Sequence, residues 1–152
     1  MNSGLIMVVD DDPKLRRIYN DVLTANGFTV IAAKSGEECL ALLHRTVPKV
    51  LVLDIMMPDM DGIETCRRAR KMVGENVPIL FLTAADSMET VRACLEAGGD
   101  DYLMKSGSPS AVVERVQRLA TVNKQVLQRR RHRAAAEVRA NLAHVNGNAE
   151  RQ

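Results

Sequence analysis

Short apolar runs alternate with helical patterns five times along the first 123 residues of the chain. Each run is bounded by turn residues, which is typical of a strand that is buried on both faces. Strands that alternate with helices in this way predict a parallel sheet covered by helices on both sides, a doubly wound α/β fold. The predicted strands are 5–9, 28–33, 50–54, 77–83 and 102–105.

Each predicted helix begins at a polar residue that can cap it. Ser35 opens the second helix in a capping box with Glu38. The apolar residues Leu40, Leu43 and Val47 of this helix are expected to face the sheet. The other four helices are expected to begin at Asp12 (before Pro13), Asp61, Asp86 and Ser108 (before Pro109).

The composition is ordinary for a globular domain, with 46% apolar and 26% charged residues. No apolar stretch reaches the ~20 residues that cross a bilayer, and no secretory signal pattern opens the chain. Cys39, Cys66 and Cys94 are widely spaced and lie in helical patterns, as expected of buried thiols in a reducing compartment. The sequence therefore predicts a cytoplasmic protein without a membrane segment.

Polar side chains of complementary chemistry stand at the ends of four predicted strands. They are Asp10 and Asp11 after the first, Asp54 at the third, Thr83 at the fourth and Lys105 at the fifth. The carboxyl ends of parallel strands share one edge of the sheet, where ligands bind. Clustered carboxylates repel one another unless a cation is present, and Mg²⁺ prefers such oxygen ligands. A carboxylate beside this ion can act as a nucleophile towards a phosphoryl group, whose oxygens Lys105 and Thr83 could contact.

Other phosphate and metal chemistries fit this sequence less well. No glycine fingerprint follows the first strand and no G-x-x-x-x-G-K-[ST] motif is present, so dinucleotide or P-loop binding is not supported. A phosphatase of the haloacid dehalogenase type also uses a strand-end Asp, but it needs a second acid two residues later, where this chain has Met56. The segment 59–62 lacks the other ligands of an EF-hand calcium loop.

Over residues 4–123 the chain resembles the receiver domains of two-component response regulators, the family of the bacterial chemotaxis regulator. The resemblance implies a flavodoxin-like (βα)5 sheet with strand order 2-1-3-4-5, and a phosphoacceptor signalling module rather than an enzyme. The motifs that carry it are Val8-Val9-Asp10-Asp11, Leu53-Asp54-Ile55-Met56-Met57-Pro58 with Asp61-Gly62, Leu82-Thr83-Ala84 and Tyr102-Leu103-Met104-Lys105.

Carried over by position, the resemblance implies a phosphoacceptor and a magnesium site. Asp54 would accept the phosphoryl group and bind Mg²⁺. Asp11 would bind the metal directly, Asp10 would assist through water, and Met56 would contribute its main-chain carbonyl.

The resemblance also implies how the other strand ends act. Thr83 and Lys105 would contact the phosphoryl oxygens. Thr83 and Tyr102 would form a switch in which hydroxyl and ring move together on phosphorylation. Ala84, which is small, would leave room for the phosphoryl group.

Two departures from the family's pattern bear on these expectations. The family usually has a cis Pro after the Lys, whereas this chain has Ser106, so a trans Lys105–Ser106 bond is expected, with Gly107 supplying the turn. Met56 and Ala85 stand where the family often has polar side chains that orient an attacking water. We therefore expect slow autodephosphorylation.

Residues 124–152 are predicted to form a basic helical extension or linker that continues the last helix of the receiver domain (1–123). Residues 129–152 carry six Arg against two Glu, and Val138, Leu142 and Val145 form an apolar stripe before a stop at 146–148. We favour a solvated helix, because charge runs are usually solvated. A coiled coil joining two chains as a homodimer, or an electrostatic patch for nucleic acid, are alternatives. No helix-turn-helix or other DNA-binding module fits after residue 123.

The leading interpretation is a module that takes a phosphoryl group from a sensor histidine kinase or phosphotransfer protein. It would carry the group on Asp54 with Mg²⁺ and change the surface formed by its last helices. The rival interpretation is a scaffolding module whose receiver fold is only structural. A scaffold has no need of the complete set of acids, Thr and Lys, which counts against the rival.

Overall fold

The computed structural model describes residues 3–84 and 87–151. Five parallel strands form one sheet in the order β2-β1-β3-β4-β5, which confirms the predicted doubly wound topology. Every residue of β3 and β4 is buried, as their continuous apolar sequence predicted. The strands are β1 (Leu5–Val9), β2 (Thr29–Ala33), β3 (Val50–Asp54), β4 (Ile79–Thr83) and β5 (Asp101–Met104).

Five of the helices follow the strands, and a sixth ends the described chain. They are α1 (Pro13–Ala25), α2 (Gly36–Leu43), α3 (Gly62–Val73), α4 (Met88–Glu96), α5 (Pro109–Thr121) and α6 (Lys124–Ala149). The caps predicted for α1, α2, α3 and α5 are confirmed, because each accepts a hydrogen bond from a first-turn N–H. The predicted cap Asp86 lies outside the described residues, and Ser87 caps α4.

The alternation of side chains along the strands divides the core into two layers. Residues such as Met7, Leu53 and Phe81 pack in one layer, and their strand neighbours Val8 and Val52 pack in the other. The first layer includes residues of α2, α3 and α4, and the second includes residues of α1 and α5. Helices therefore cover both faces of the sheet.

Two expectations about local structure are wrong. Val47 is 64% exposed, because α2 ends at Leu43, four residues earlier. The last helix of the receiver does not continue into the extension, because Val122 is extended (φ −67°, ψ 145°). Asn123 then caps α6 by accepting hydrogen bonds from the N–H groups of Gln125 and Val126.

The extension is helical as expected, but it is not solvated on all sides. Leu127, Arg131 and Val138 are buried against the rest of the chain, and α6 continues to Ala149, past the predicted stop. Burial of Val138 removes it from the apolar stripe that was considered as a coiled-coil seam. None of the described helices is long and apolar enough to cross a membrane.

Candidate functional site

The sheet brings the polar strand ends to a single edge. Asp54 is the last residue of β3, and Thr83 lies one residue beyond its pairing partner on β4. Asp10 directly follows β1, and Lys105 directly follows β5. The sequence expectation that these residues lie at one edge of the sheet therefore agrees with the structure.

Lys105 joins two buried carboxylates at this edge. Its Nζ lies 2.9 Å from Asp54 Oδ1 and 3.0 Å from Asp10 Oδ2. The side chains of Asp54 and Asp10 are 1% and 0% exposed. A single ammonium group thus faces two acids that are shielded from water. The cluster of Asp10, Asp54 and Lys105 therefore has an excess of negative charge.

The loop after β1 fixes Asp10. The N–H of Asp12 donates to Asp10 Oδ1 at 2.9 Å, and Arg16 Nη1 donates to the Asp10 carbonyl at 2.8 Å. Our sequence reasoning did not identify Arg16. The available signal was a basic residue in the first turn of the helix that follows three consecutive acids.

The loop after β3 turns back against Asp54. The N–H of Met56 donates to Asp54 Oδ1 at 3.3 Å, and the N–H of Gly62 donates to the Ile55 carbonyl at 2.8 Å. A Cβ atom on Gly62 would lie 2.0 Å from the Asp54 carbonyl oxygen. Only glycine allows α3 to begin this close to the end of β3.

One oxygen of each of the two buried carboxylates lacks a hydrogen bond from the part of the chain that the structure describes. Asp54 Oδ2 and Asp10 Oδ2 are buried without a hydrogen-bond partner among the described residues, although Asp10 Oδ2 has its ionic contact with Lys105. Buried polar atoms normally have partners, so the unused oxygen of Asp54 is available to a ligand. Asp11 completes a set of three carboxylates whose oxygens lie within 4.8 Å of one another. Such a set of oxygens fits a hard divalent cation such as Mg²⁺.

Burial and the neighbouring charges at this edge shift the pKa values of Asp54 and Lys105. Burial raises the pKa of Asp54 to about 6, and the hydrogen bond from Lys105 opposes that rise while the charge of Asp10 adds to it. Burial lowers the pKa of Lys105, but the two carboxylates outweigh it and the net direction is upward. At neutral pH Asp54 is therefore mainly ionised and Lys105 is charged.

The turn after β5 keeps Lys105 in place without proline. No cis peptide bond occurs in the described part of the chain, so the expected trans Lys105–Ser106 bond is confirmed. The N–H of Lys105 donates to the Thr83 carbonyl at 2.8 Å, and the N–H of Gly107 donates to the Met104 carbonyl at 3.2 Å. Replacement of the usual Pro thus still leaves the ammonium group in contact with both acids.

The two residues expected to act as a switch lie on neighbouring strands. In the register of β4 and β5, Tyr102 is paired with Phe81, and Phe81 precedes Thr83 by two residues. Thr83 is buried and Tyr102 is 39% exposed. Ala84 follows Thr83 and is exposed, whereas Ala85 lies outside the described residues.

Comparison with known proteins identifies the class to which this fold and site belong. Residues 6–117 match the family described as response regulator receiver domain. The chain therefore belongs to this family, whose members are the phosphoacceptor domains of two-component signalling systems.

Individual proteins agree with this assignment. The response regulator MprA of Mycobacterium ulcerans is 46% identical over 117 residues, which are 77% of this chain and 49% of MprA. A Francisella response regulator 1452 receiver domain is 34% identical with a TM-score of 0.72, covering 77% of this chain and 96% of that one. The BeF3-activated receiver domain of DrrB is 33% identical with a TM-score of 0.70, covering 78% and 97%.

The match to the curated relatives is confined to part of their length. This chain spans about half of MprA, and residues beyond 123 fall outside the family match. The signalling role of the receiver fold is therefore established by family, and this assignment does not extend to α6.

Proposed function

We propose that this protein accepts a phosphoryl group on Asp54 from a sensor histidine kinase or a phosphotransfer protein. The observation that carries the proposal is the buried oxygen Asp54 Oδ2, which has no hydrogen-bond partner among the described residues. The oxygen belongs to a carboxylate that is mainly ionised at neutral pH and that faces the edge shared by Asp11, Thr83 and Lys105.

The three clustered carboxylates support a magnesium site. We assign Asp11, Asp54 and the main-chain carbonyl of Met56 as direct ligands, with Asp10 acting through water. When bound, Mg²⁺ would neutralise part of the charge on the carboxylates and on the incoming phosphoryl group. The unpartnered oxygen of Asp54 supports this assignment, because it otherwise carries an uncompensated cost of burial.

The reaction on this chain is a displacement at phosphorus. An oxygen of Asp54 forms the new O–P bond while the P–N bond to the donor imidazole breaks, and the electron pair of that bond returns to the nitrogen. Lys105 already lies beside Asp54, so its ammonium group can contact a phosphoryl oxygen after a small side-chain movement. The Thr83 hydroxyl is the second contact that we assign, from the neighbouring strand.

The response to phosphorylation would begin at Thr83. We assign Thr83 and Tyr102 as the switch pair, in which the hydroxyl moves towards the phosphoryl group and the half-exposed ring moves with it. On this view the chain is a signalling domain that turns over its own phosphoryl group slowly, not an enzyme acting on other substrates. We propose the cytoplasm as its location, which suits three buried cysteines that are all unpaired.

We also propose that residues 1–123 are the receiver unit and that residues 124–152 are a separate functional extension. The extended residue Val122 and the new cap Asn123 support this boundary. The scaffolding interpretation loses support because a structural fold would not need a buried acid with an unpartnered oxygen next to a second buried acid.

Intact-mass measurement with acetyl phosphate tests the proposal. We expect a Mg²⁺-dependent gain of about 80 Da, which is one phosphoryl group. Asp54→Asn should abolish the gain. Asp59→Asn is the matched control, because Asp59 is an exposed acid in the loop after β3. Its backbone φ is positive (68°), and Asn tolerates such a φ. A folded wild-type protein that gains no mass would favour the scaffold.

A further inference from the structure

The extension is attached to the receiver by a buried ion pair. Arg131 of α6 is 7% exposed, and its Nε donates to Asp100 Oδ1 at 2.8 Å while Nη2 donates to Oδ2 at 3.0 Å. Its Nη1 donates to the Glu75 carbonyl at 3.1 Å. This fork-to-fork geometry fixes the position and orientation of α6 at one point.

The carboxylate that receives Arg131 is itself firmly held. Asp100 Oδ2 also accepts from Arg70 Nη2 at 2.8 Å and from the Ile79 N–H at 2.8 Å. Arg70 belongs to α3 and Ile79 begins β4, so the attachment point is tied to two elements of the receiver. It lies at the amino edge of the sheet, opposite the site of Asp54.

From this attachment point α6 runs along α4. α4 and α6 lie close together, while Cys94 on α4 packs into the core layer of the sheet. Val138 is buried, and Leu142 lines a cleft with Met88, Arg92 and Ala93 of α4. α4 is the first helix after the strand that ends at Thr83, and it also contacts α6, so it connects the candidate site with α6.

The junction between α6 and the receiver is small for the length of the helix. Of the 26 residues of α6, the buried ones are Leu127, Arg131 and Val138. The further side-chain contacts, of Gln128 with Asn76 and of His132 with Glu75, are exposed to solvent. A cavity of about 340 Å³ remains between α5 and α6, lined in part by Arg118 and Ala134. A buried ion pair adds little net stability beyond the cost of desolvating its charges. A modest change in free energy is therefore enough to displace α6 from its docked position.

We propose that α6 is a displaceable arm, docked on α4 while Asp54 is unmodified and released when Asp54 is phosphorylated. This inference rests on the proposed function. Movement of Thr83 towards a phosphoryl group would shift the start of α4, and α6 lies against α4. If α6 packs less well on the shifted α4 than on the original one, a ligand that shifts α4 also favours release of α6. Release would expose the face of α4 and the inner face of α6 together.

Hydrogen exchange on the full chain tests the release directly. The probe is beryllium fluoride with Mg²⁺, since the receiver of the similar protein DrrB is described as BeF3-activated. We expect the amides of 131–145 to exchange at least about tenfold faster when the probe is bound, while the amides of α5 keep their rates. Asp54→Asn should show no change in α6 at the same concentrations.

A pair of valines on α6 gives a matched control. Val138 is 7% exposed and Val145 is 59% exposed. Because coupling between two sites is reciprocal, Val138→Ala should loosen the arm and raise the apparent affinity for beryllium fluoride several-fold. Val145→Ala should leave that affinity unchanged.

The possible outcomes distinguish a failure of the inference about α6 from a failure of the proposed function. Binding of the probe to wild type, seen by ¹⁹F NMR, with unchanged exchange in α6 overturns the inference and leaves the proposed function standing. Equal affinities for the two valine variants would also overturn it. If the probe does not bind, the proposed function fails, and the inference falls with it.

Discussion

Two buried charge clusters stand at opposite edges of the sheet, and they differ in their balance. At the carboxyl edge, Asp10 and Asp54 share the single ammonium group of Lys105. At the amino edge, the single carboxylate of Asp100 is shared by the guanidinium groups of Arg70 and Arg131. One cluster has an excess of acid and the other an excess of base.

The clusters differ also in how fully their oxygens are used. Both oxygens of Asp100 accept hydrogen bonds, from guanidinium groups and from the N–H of Ile79. Asp54 Oδ2 accepts none from the described residues. A saturated cluster can only hold elements together, whereas a cluster with an unused buried oxygen can take a cation or a phosphoryl group. The same residue types therefore serve attachment at one edge and chemistry at the other.

The largest expected effect is on stability, from Asp100→Ala. Its removal leaves the buried guanidinium group of Arg70 without a counter-charge and detaches Arg131 of α6, so we expect a loss of about 3–5 kcal/mol in the free energy of unfolding. Urea denaturation measures it. Asp101→Ala is the matched control, because the Asp101–Arg115 pair is partly exposed and should cost under about 1 kcal/mol. Equal losses in the two variants would show that the amino-edge cluster does not differ from a surface pair.

Asp54→Asn is expected to change stability in the opposite direction, raising the free energy of unfolding of the metal-free protein. The pKa of Asp54 is raised from 3.8 to about 6 in the folded chain. Between these values the folded state holds a proton that the unfolded state has lost, so wild type loses stability as pH rises through this window. At pH 7 the variant should be about 1–3 kcal/mol more stable, and its stability should be flatter from pH 4 to 6.

Chemical denaturation in EDTA across that pH range makes this measurement. Asp59→Asn serves again as the exposed control and should follow the wild-type profile. A variant that is less stable than wild type at pH 7 would mean that Asp54 is satisfied in the apo protein, and the contrast between the two edges would disappear.

A smaller effect is expected at Met56. This side chain is 71% exposed beside the site and cannot orient a water, so the phosphorylated protein should lose its phosphoryl group slowly. Met56→Asn should speed that loss by about tenfold, because an amide can position water for attack. Decay of the added mass with time measures the rate. Met72→Asn, on the surface of α3, is the control, and identical decay in wild type and Met56→Asn would contradict the expectation.

The sequence was sufficient to predict the sheet and the residues gathered at its carboxyl edge. β3 reads as a buried strand from its composition alone, and its terminal Asp54 is placed at that edge by the parallel topology. Caps such as Ser35 and Asp61 act on their own first turns, so local sequence is enough to find them. These features depend on neighbours along the chain or on topology.

The sequence did not predict the attachment of α6, because that attachment depends on distant partners. Arg131 reads as one member of a charged run, and its burial depends on Asp100, 31 residues earlier in the chain. The break at Val122 was not predicted either, although Asn123 was an available capping signal. Arg16 was missed for a similar reason, since its contact is with a main-chain carbonyl that no side-chain motif marks.

Chemical mapping of the phosphorylated residue tests the central claim most directly. Borohydride reduces an aspartyl phosphate to homoserine, so reduction after treatment with acetyl phosphate and Mg²⁺ marks the acceptor in wild-type protein. Peptide mass spectrometry then locates the mark. We predict homoserine at position 54 and at no other Asp. Homoserine at Asp10 or Asp11, or none in folded protein, would contradict the assignment of the unpartnered carboxylate as the phosphoacceptor.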